Sequence, residues 1–251
     1  GDKVPQSPGQ SRSEPASRIE FKEDQTQGEA KRDFVYSWPA EASQIDGLAK
    51  TLTKRRNAAL AQQKREWAKT VDEVGDGTGE DSCITCVNRS YMMGWSVFSE
   101  TPRFLILLGE RFTYSGGAHG NSTFDALMWD RAAEDGAGAG MVPLDLFVSP
   151  AAFEKAAFGD YCAALHRVRS ERRDVAPAKG DPLTNCPSVA DLVVTLGSSD
   201  GKRFDGIYLH AAPYVAGSYA EGPYEFAIPV SPAIRDAVKP EYREAFTIGA
   251  G

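Results

Sequence analysis

A chain of 251 residues has room for one large domain or two small ones, and with 41% hydrophobic and 10% aromatic residues it has the composition of a folded protein, not a disordered one. Its formal net charge of −7 excludes a general affinity for nucleic acid or anionic lipid, since both need a basic surface. No apolar run approaches the roughly 18–20 residues that a membrane-spanning helix requires; the longest, Phe104–Leu108, has the length of a buried strand.

Residues 1–17 are polar and rich in Pro, Ser and Gln, with too little apolar surface to offset the entropy of ordering, and are expected to form a disordered tether. A start without Met and with this composition fits a chain released by signal-peptide cleavage, or one that follows a lipidated Cys, so an exported protein is expected.

Next, Arg18–Lys22 and Asp33–Trp38 alternate as strands do, the second with Phe34, Tyr36 and Trp38 on one face, and Glu23–Ala30 between them reads as a loop. A long helix is predicted from about Ser43 to Val71, with Ser43 and Asp46 as a capping-box-like start and Ile45, Leu48, Leu52, Ala59, Leu60, Trp67 and Val71 as its apolar stripe. Its many Lys and Arg side chains read as a solvated face. After the break at Asp76–Gly79 come three predicted strands, Tyr91–Ser99, Arg103–Thr113 and Phe124–Asp130, and then a glycine-rich stretch, Glu134–Gly140. Ser149-Pro150 gives an N-cap followed by Pro at the first helical position, predicting a helix to about Arg172 with Phe153, Ala157, Tyr161, Leu165 and Val168 inward. Val175–Pro187 reads as a loop, Asp191–Leu196, Phe204–Ala212 and Tyr224–Val230 as strands, and a short helix follows Ser231-Pro232.

This order predicts an α+β fold of two α/β subdomains, residues 18–132 and 133–251, each a largely antiparallel sheet with a helix packed on it.

Cys83, Cys86, Cys162 and Cys186 are even in number, which suits an oxidising compartment and two disulfides. Of the three pairings possible for four cysteines, Cys83–Cys86 with Cys162–Cys186 is preferred because each joins nearest neighbours in sequence. A zinc reading usually needs a second Cys-x-x-Cys pair, and a thioredoxin-like reading needs the motif at a helix start, whereas Cys83–Cys86 precedes a strand-like run. Neither a metal nor a cofactor is expected.

Two segments draw chemical interest. In Tyr114–Gly120 (Tyr-Ser-Gly-Gly-Ala-His-Gly), Gly116 and Gly117 permit a tight turn that His119 would anchor. Alternatively, because imidazole side chains in general change charge near neutrality, His119 would be a ligand or proton-transfer group, giving Tyr114, Gly116, Gly117 and His119 as candidate binding residues. Tyr214–Tyr224 is dense in Tyr and Gly, a composition that gives rigid aromatic contact area on an adaptable backbone, and Tyr214, Tyr219, Glu221 and Tyr224 are candidates there. No Gly-x-Ser-x-Gly elbow and no His-Glu-x-x-His motif occurs. His166, in a helix, and His210, in a strand, read as a surface and a satisfied histidine respectively.

Tyr114–Gly120 with the later Leu144-Asp-Leu-Phe147, together with Tyr214-x-x-Gly217 and Tyr224–Pro229, resembles a family of extracytoplasmic bacterial domains of unknown function. The family includes the outer region of the anti-sigma factor RsiV and the non-catalytic region of the peptidoglycan deacetylase PdaC, and the likeness covers residues 19 to about 235. The resemblance implies a two-part α/β ectodomain and a non-catalytic binding or sensing module in the periplasm or cell envelope. Its partner would be an envelope protein or a cell-wall glycan, and it would act as a monomer touching a membrane only through an N-terminal lipid anchor. The competing expectation is a cell-wall-directed hydrolase or transferase that uses His119.

Overall fold

The structure is a computed structural model and describes residues 17–79, 82–133, 139–173 and 185–250. The expected tether lies outside these residues apart from Ser17, as do most of the stretch 134–140 and most of the loop 175–187. In chain order the elements are β1 (Arg18–Gln27), β2 (Ala30–Pro39), α1 (Ala40–Ser43), α2 (Asp46–Val74), α3 (Ile84–Val87), β3 (Arg89–Glu100), β4 (Phe104–Tyr114), β5 (Asn121–Asp130) and β6 (Ala139–Met141). There follow α4 (Pro150–Arg172), β7 (Val193–Gly197), β8 (Gly206–Ala211), β9 (Tyr224–Pro229) and α5 (Pro232–Asp236). β1 to β6 form one mostly antiparallel sheet in sequence order, with β2 and β3 parallel; β7, β8 and β9 form a second, antiparallel sheet. The fold class is therefore α+β with two sheets and packed helices, as the element order implied.

The chain divides into two compact units. One comprises the described residues up to Ser96 together with Gly109–Thr123, the other Val97–Leu108 and the described residues from Phe124 onward, so the boundary falls within β3, β4 and β5.

In the first unit, β1 and β2 pair from Arg18↔Pro39 to Gln27↔Ala30. The expected loop over Glu23–Ala30 is mostly strand, because Glu23 and Gln25 both take hydrogen bonds from the buried guanidinium of Arg32 and so prolong the pairing to the turn. Phe34, Tyr36 and Trp38 are buried as their alternation implied, and Trp95 Nε1 donates to the Tyr36 hydroxyl at 2.8 Å. Leu48, Leu52, Trp67 and Val71 form the buried stripe of α2. The expected cap is absent, since the Ser43 hydroxyl instead accepts a bond from Trp38 Nε1 at 2.8 Å, and α2 starts after Ile45 with no side-chain cap. Trp38, Trp67 and Trp95 all lie buried in this unit.

The second unit has a core in which Phe147, Phe153, Tyr161 and Leu165 meet Leu196, Ile207, Leu209 and Phe226 of the small sheet. α4 begins as the sequence indicated: Ser149 Oγ accepts from Ala152 N–H at 3.0 Å and Pro150 is the first helical residue. Such a cap satisfies one of the donors that every helix start leaves orphaned. The buried Arg169, near the other end of α4, donates to the carbonyls of Ala216 and Asn185, each at 2.9 Å. Trp129, half-buried on β5, belongs to this unit.

Both disulfides of the preferred pairing are present. Cys83–Cys86 has its Cα atoms 5.2 Å apart and Cys162–Cys186 has them 5.6 Å apart. Contrary to expectation, Cys83-x-x-Cys86 does not run straight into a strand; residues 84–87 make a single helical turn, α3, before β3 starts at Arg89.

Candidate functional site

The antiparallel strands β8 and β9 are joined by the segment from Ala212 to Pro223, which carries Tyr214, Gly217, Tyr219 and Gly222. Its backbone turns back on itself through bonds from Val215 N–H to Ala212 O and from Tyr214 N–H to Gly217 O, both 3.1 Å. Glu221 fastens the turn from within. Its carboxylate accepts two bonds from the Arg173 guanidinium (2.7 and 3.1 Å), two from the Ser218 N–H and hydroxyl (3.0 and 2.9 Å), and one from the Tyr224 hydroxyl. The Arg173 bonds, with those from Tyr224 and Ser218, outweigh burial and hold the carboxyl at a pKa of about 2. Arg172 adds a bond to the Pro223 carbonyl at 2.6 Å and stacks its guanidinium over the Tyr224 ring at 4.4 Å. Gly217 is required by close approach, because a Cβ there would sit 3.0 Å from the Glu221 carboxylate and against the Tyr224 ring.

With the loop pinned, its two tyrosines stand apart from Tyr224, the first residue of β9. Tyr224 is fully buried. Tyr214 is 56% exposed and stands in the left-handed region at φ 73°, the one described non-glycine residue with positive φ. Its ring stacks on that of Tyr219, with centroids 5.6 Å apart and planes inclined by 29°. Left-handed backbone costs an L-residue about 1–2 kcal/mol, and such conformations persist where the surroundings over-determine them.

At the base of the loop lies a cleft of about 110 Å³ lined by Phe98, by Arg167 and Glu171 of α4, and by Tyr208, His210 and Glu225 of the small sheet. His210 and Glu225 are direct cross-strand partners, and His210 Nδ1 lies 3.1 Å from Glu225 Oε2. The other ring nitrogen, Nε2, is 2.9 Å from Thr195 Oγ1 on β7. The order that satisfies all three groups has Thr195 donating to Nε2 and Nδ1–H donating to Glu225. The bond to His210 holds the Glu225 carboxyl below its ordinary range. That sequence of hydroxyl, imidazole and carboxylate is also the order of a nucleophile–base–acid relay. Here, however, Thr195 is 0% exposed, so its hydroxyl meets no substrate and the chain of bonds ties three strands together.

Tyr114–Gly120 belongs to the other unit, where it links β4 to β5. The Tyr114 hydroxyl lies 2.8 Å from the Gly117 carbonyl and 3.1 Å from that of Thr85. Gly116, at φ 95°, approaches so closely that a Cβ would come within 3.1 Å of the Thr85 carbonyl and 3.2 Å of that of Cys86. The segment is thus seated on the disulfide-closed turn of Cys83–Cys86. His119 is exposed, with Nδ1 2.9 Å from the Gly120 carbonyl oxygen. Of the sequence candidates, Tyr214, Tyr219, Glu221 and Tyr224 therefore come together in one loop, and Tyr114, Gly116, Gly117 and His119 in another. Thr195, Glu225 and the cleft beside them were not singled out by the sequence.

No family model matches the chain, and no curated protein matches it. Among solved structures, it is similar to a DUF3298 family protein from Pseudomonas aeruginosa PAO1, with a TM-score of 0.51 at 19% identity over 90% of this chain and 95% of that one. The fold is that of a DUF3298 family protein. A fainter likeness, with a TM-score of 0.42 at 15% identity over 85% of this chain and 90% of the other, joins it to a member of the same family from Bacteroides fragilis NCTC 9343. The shared fold agrees with the expected likeness to a bacterial domain family of unknown function.

Proposed function

We propose that the chain is a non-catalytic binding module of the bacterial cell envelope, related to the outer region of RsiV and the non-catalytic region of PdaC, and that its ligand is a cell-wall glycan held on the β8–β9 loop. One observation carries this reading: the exposed, left-handed Tyr214 stacked on Tyr219, on a loop that Glu221 and Arg173 keep in one conformation. A rigid pair of aromatic faces loses little entropy on contact and offers its π surface to the apolar face of a sugar ring. The two disulfides support an oxidising compartment. Among the described residues, no helix is long and apolar enough to cross a membrane.

Calorimetric titration with soluble peptidoglycan fragments tests the proposal. Saturable binding is expected for the wild type, and Tyr214→Gly and Tyr219→Ala should each weaken it about tenfold, the equivalent of ~1.4 kcal/mol. Glycine at 214 removes the ring without adding left-handed strain, and comparison with the Tyr219→Ala variant and the circular dichroism of both separates loss of the ring from a loosened loop. Wild-type affinity in both variants, or no saturable binding at all, would overturn the reading; capture of an envelope protein in place of the glycan would redirect it.

A further inference from the structure

The loop and its cleft leave one cluster of reactive side chains unused. Cys162 and His166 stand one turn apart on the same face of α4, and Cys186 reaches them from outside the helix. His166 Nε2 lies 3.6 Å from Cys186 Sγ, and the donor atoms of the three residues all fall within 4.8 Å of one another. His166 is exposed and both cysteines are half-buried, so the cluster opens to solvent.

Two thiolates and an imidazole are a donor set for zinc, which binds sulfur at about 2.3 Å and nitrogen at about 2.0–2.1 Å in a tetrahedron. Those lengths put a sulfur and a nitrogen on the same ion about 3.6 Å apart. Cys186 and His166 already stand at that separation. The two sulfurs would need to move apart to about 3.8 Å, which side-chain rotation across Cα atoms 5.6 Å apart accommodates. As long as the sulfurs are bonded to each other, neither is a thiolate and only the imidazole can act as a donor.

We propose that Cys162, His166 and Cys186 form a zinc site that exists only while their disulfide is reduced. Reduction by a dithiol passes two electrons into the sulfur–sulfur bond: the bond breaks, both cysteines become thiols, and the dithiol leaves as its own cyclic disulfide. Zn²⁺ then displaces the two thiol protons to solvent and is held by Sγ of Cys162, Sγ of Cys186 and Nε2 of His166, with water in the fourth position. In an oxidising compartment the disulfide conceals the site; a reducing episode uncovers it. This inference is independent of the glycan reading, because it concerns neither the loop nor the cleft.

The test uses the full chain carrying Cys83→Ser and Cys86→Ser, which removes the other thiol pair. Oxidised and dithiol-reduced samples, freed of reductant under anaerobic conditions, are titrated with Co²⁺ as a spectroscopic stand-in and then with Zn²⁺ in competition. The reduced chain should take up a single ion, with thiolate-to-cobalt charge transfer and the intense visible bands of a tetrahedral site, while the oxidised chain shows neither. His166→Ala should weaken binding more than about tenfold and alter the visible bands. Absence of metal uptake by the reduced chain, or an unchanged affinity and spectrum in His166→Ala, would overturn the proposal. If reduction alone abolishes the native circular dichroism, recovery of that signal on adding Zn²⁺ supports the site and failure to recover it counts against it.

Discussion

Glu221 does more for the β8–β9 loop than any other single side chain, and its effect has a definite pH signature. Folding lowers its carboxyl pKa from the ordinary 4.5 to about 2. The charged form is therefore favoured in the folded chain, and the stabilisation is complete above 4.5 and lost as the pH falls through about 2. The side chain is 24% exposed, so solvent screens part of the gain. Glu221→Gln should lower the unfolding free energy by about 1–2 kcal/mol near neutrality. In urea titrations across acidic pH, the gap between variant and wild type should close as Glu221 protonates; a constant gap would contradict this role for the carboxylate. The pinning was only partly legible in the sequence. Tyrosine and glycine density marked the segment, but Arg173 lies 48 residues from Glu221, and nothing local announced that pair or the left-handed Tyr214. The bonds among Thr195, His210 and Glu225 were hidden for a related reason. They depend on the register of three strands, which a 2-residue alternation does not specify across long connections.

Among elements, α4 was the most legible because its start is written locally. A Ser149-Pro150 pair combines a side-chain acceptor for the first turn with a residue whose missing N–H costs nothing there. Ser149→Ala should destabilise the chain by about 1 kcal/mol, seen as a lower denaturation midpoint at an unchanged slope. A change in slope would instead mean that the cap alters how the chain unfolds. The start of α2 was misread by the same logic. Ser43 has the right residue type, yet Trp38 Nε1 is buried beside it and needs an acceptor, and that demand outweighs the cap. The parallel pairing of β2 with β3 uses α2 as its crossover, as parallel neighbours require; it was missed because the consecutive strands on either side read as antiparallel runs.

At the scale of the whole molecule, the two disulfides contribute unequally. Cys162–Cys186 closes a separation of 24 residues and Cys83–Cys86 one of 3. Loop-closure entropy then assigns about 3.5 kcal/mol to the first and about 1.6 kcal/mol to the second. Double serine replacements, compared by denaturant unfolding, should rank in that order, and equal losses would show that native-state packing outweighs chain entropy. The order of elements was enough to indicate two sheets with helices on them, because alternation and helix punctuation are local properties. The partition into compact units was harder to read, because it cuts through β3, β4 and β5 where the pattern is continuous. The tryptophans follow that partition unevenly, with Trp38, Trp67 and Trp95 in one unit and Trp129 in the other. Intrinsic fluorescence is thus a lopsided reporter: an emission melt follows mainly the unit that contains α2, while the β8–β9 loop and the Cys162–Cys186 bridge report only through Trp129 unless an optical label is placed beside them.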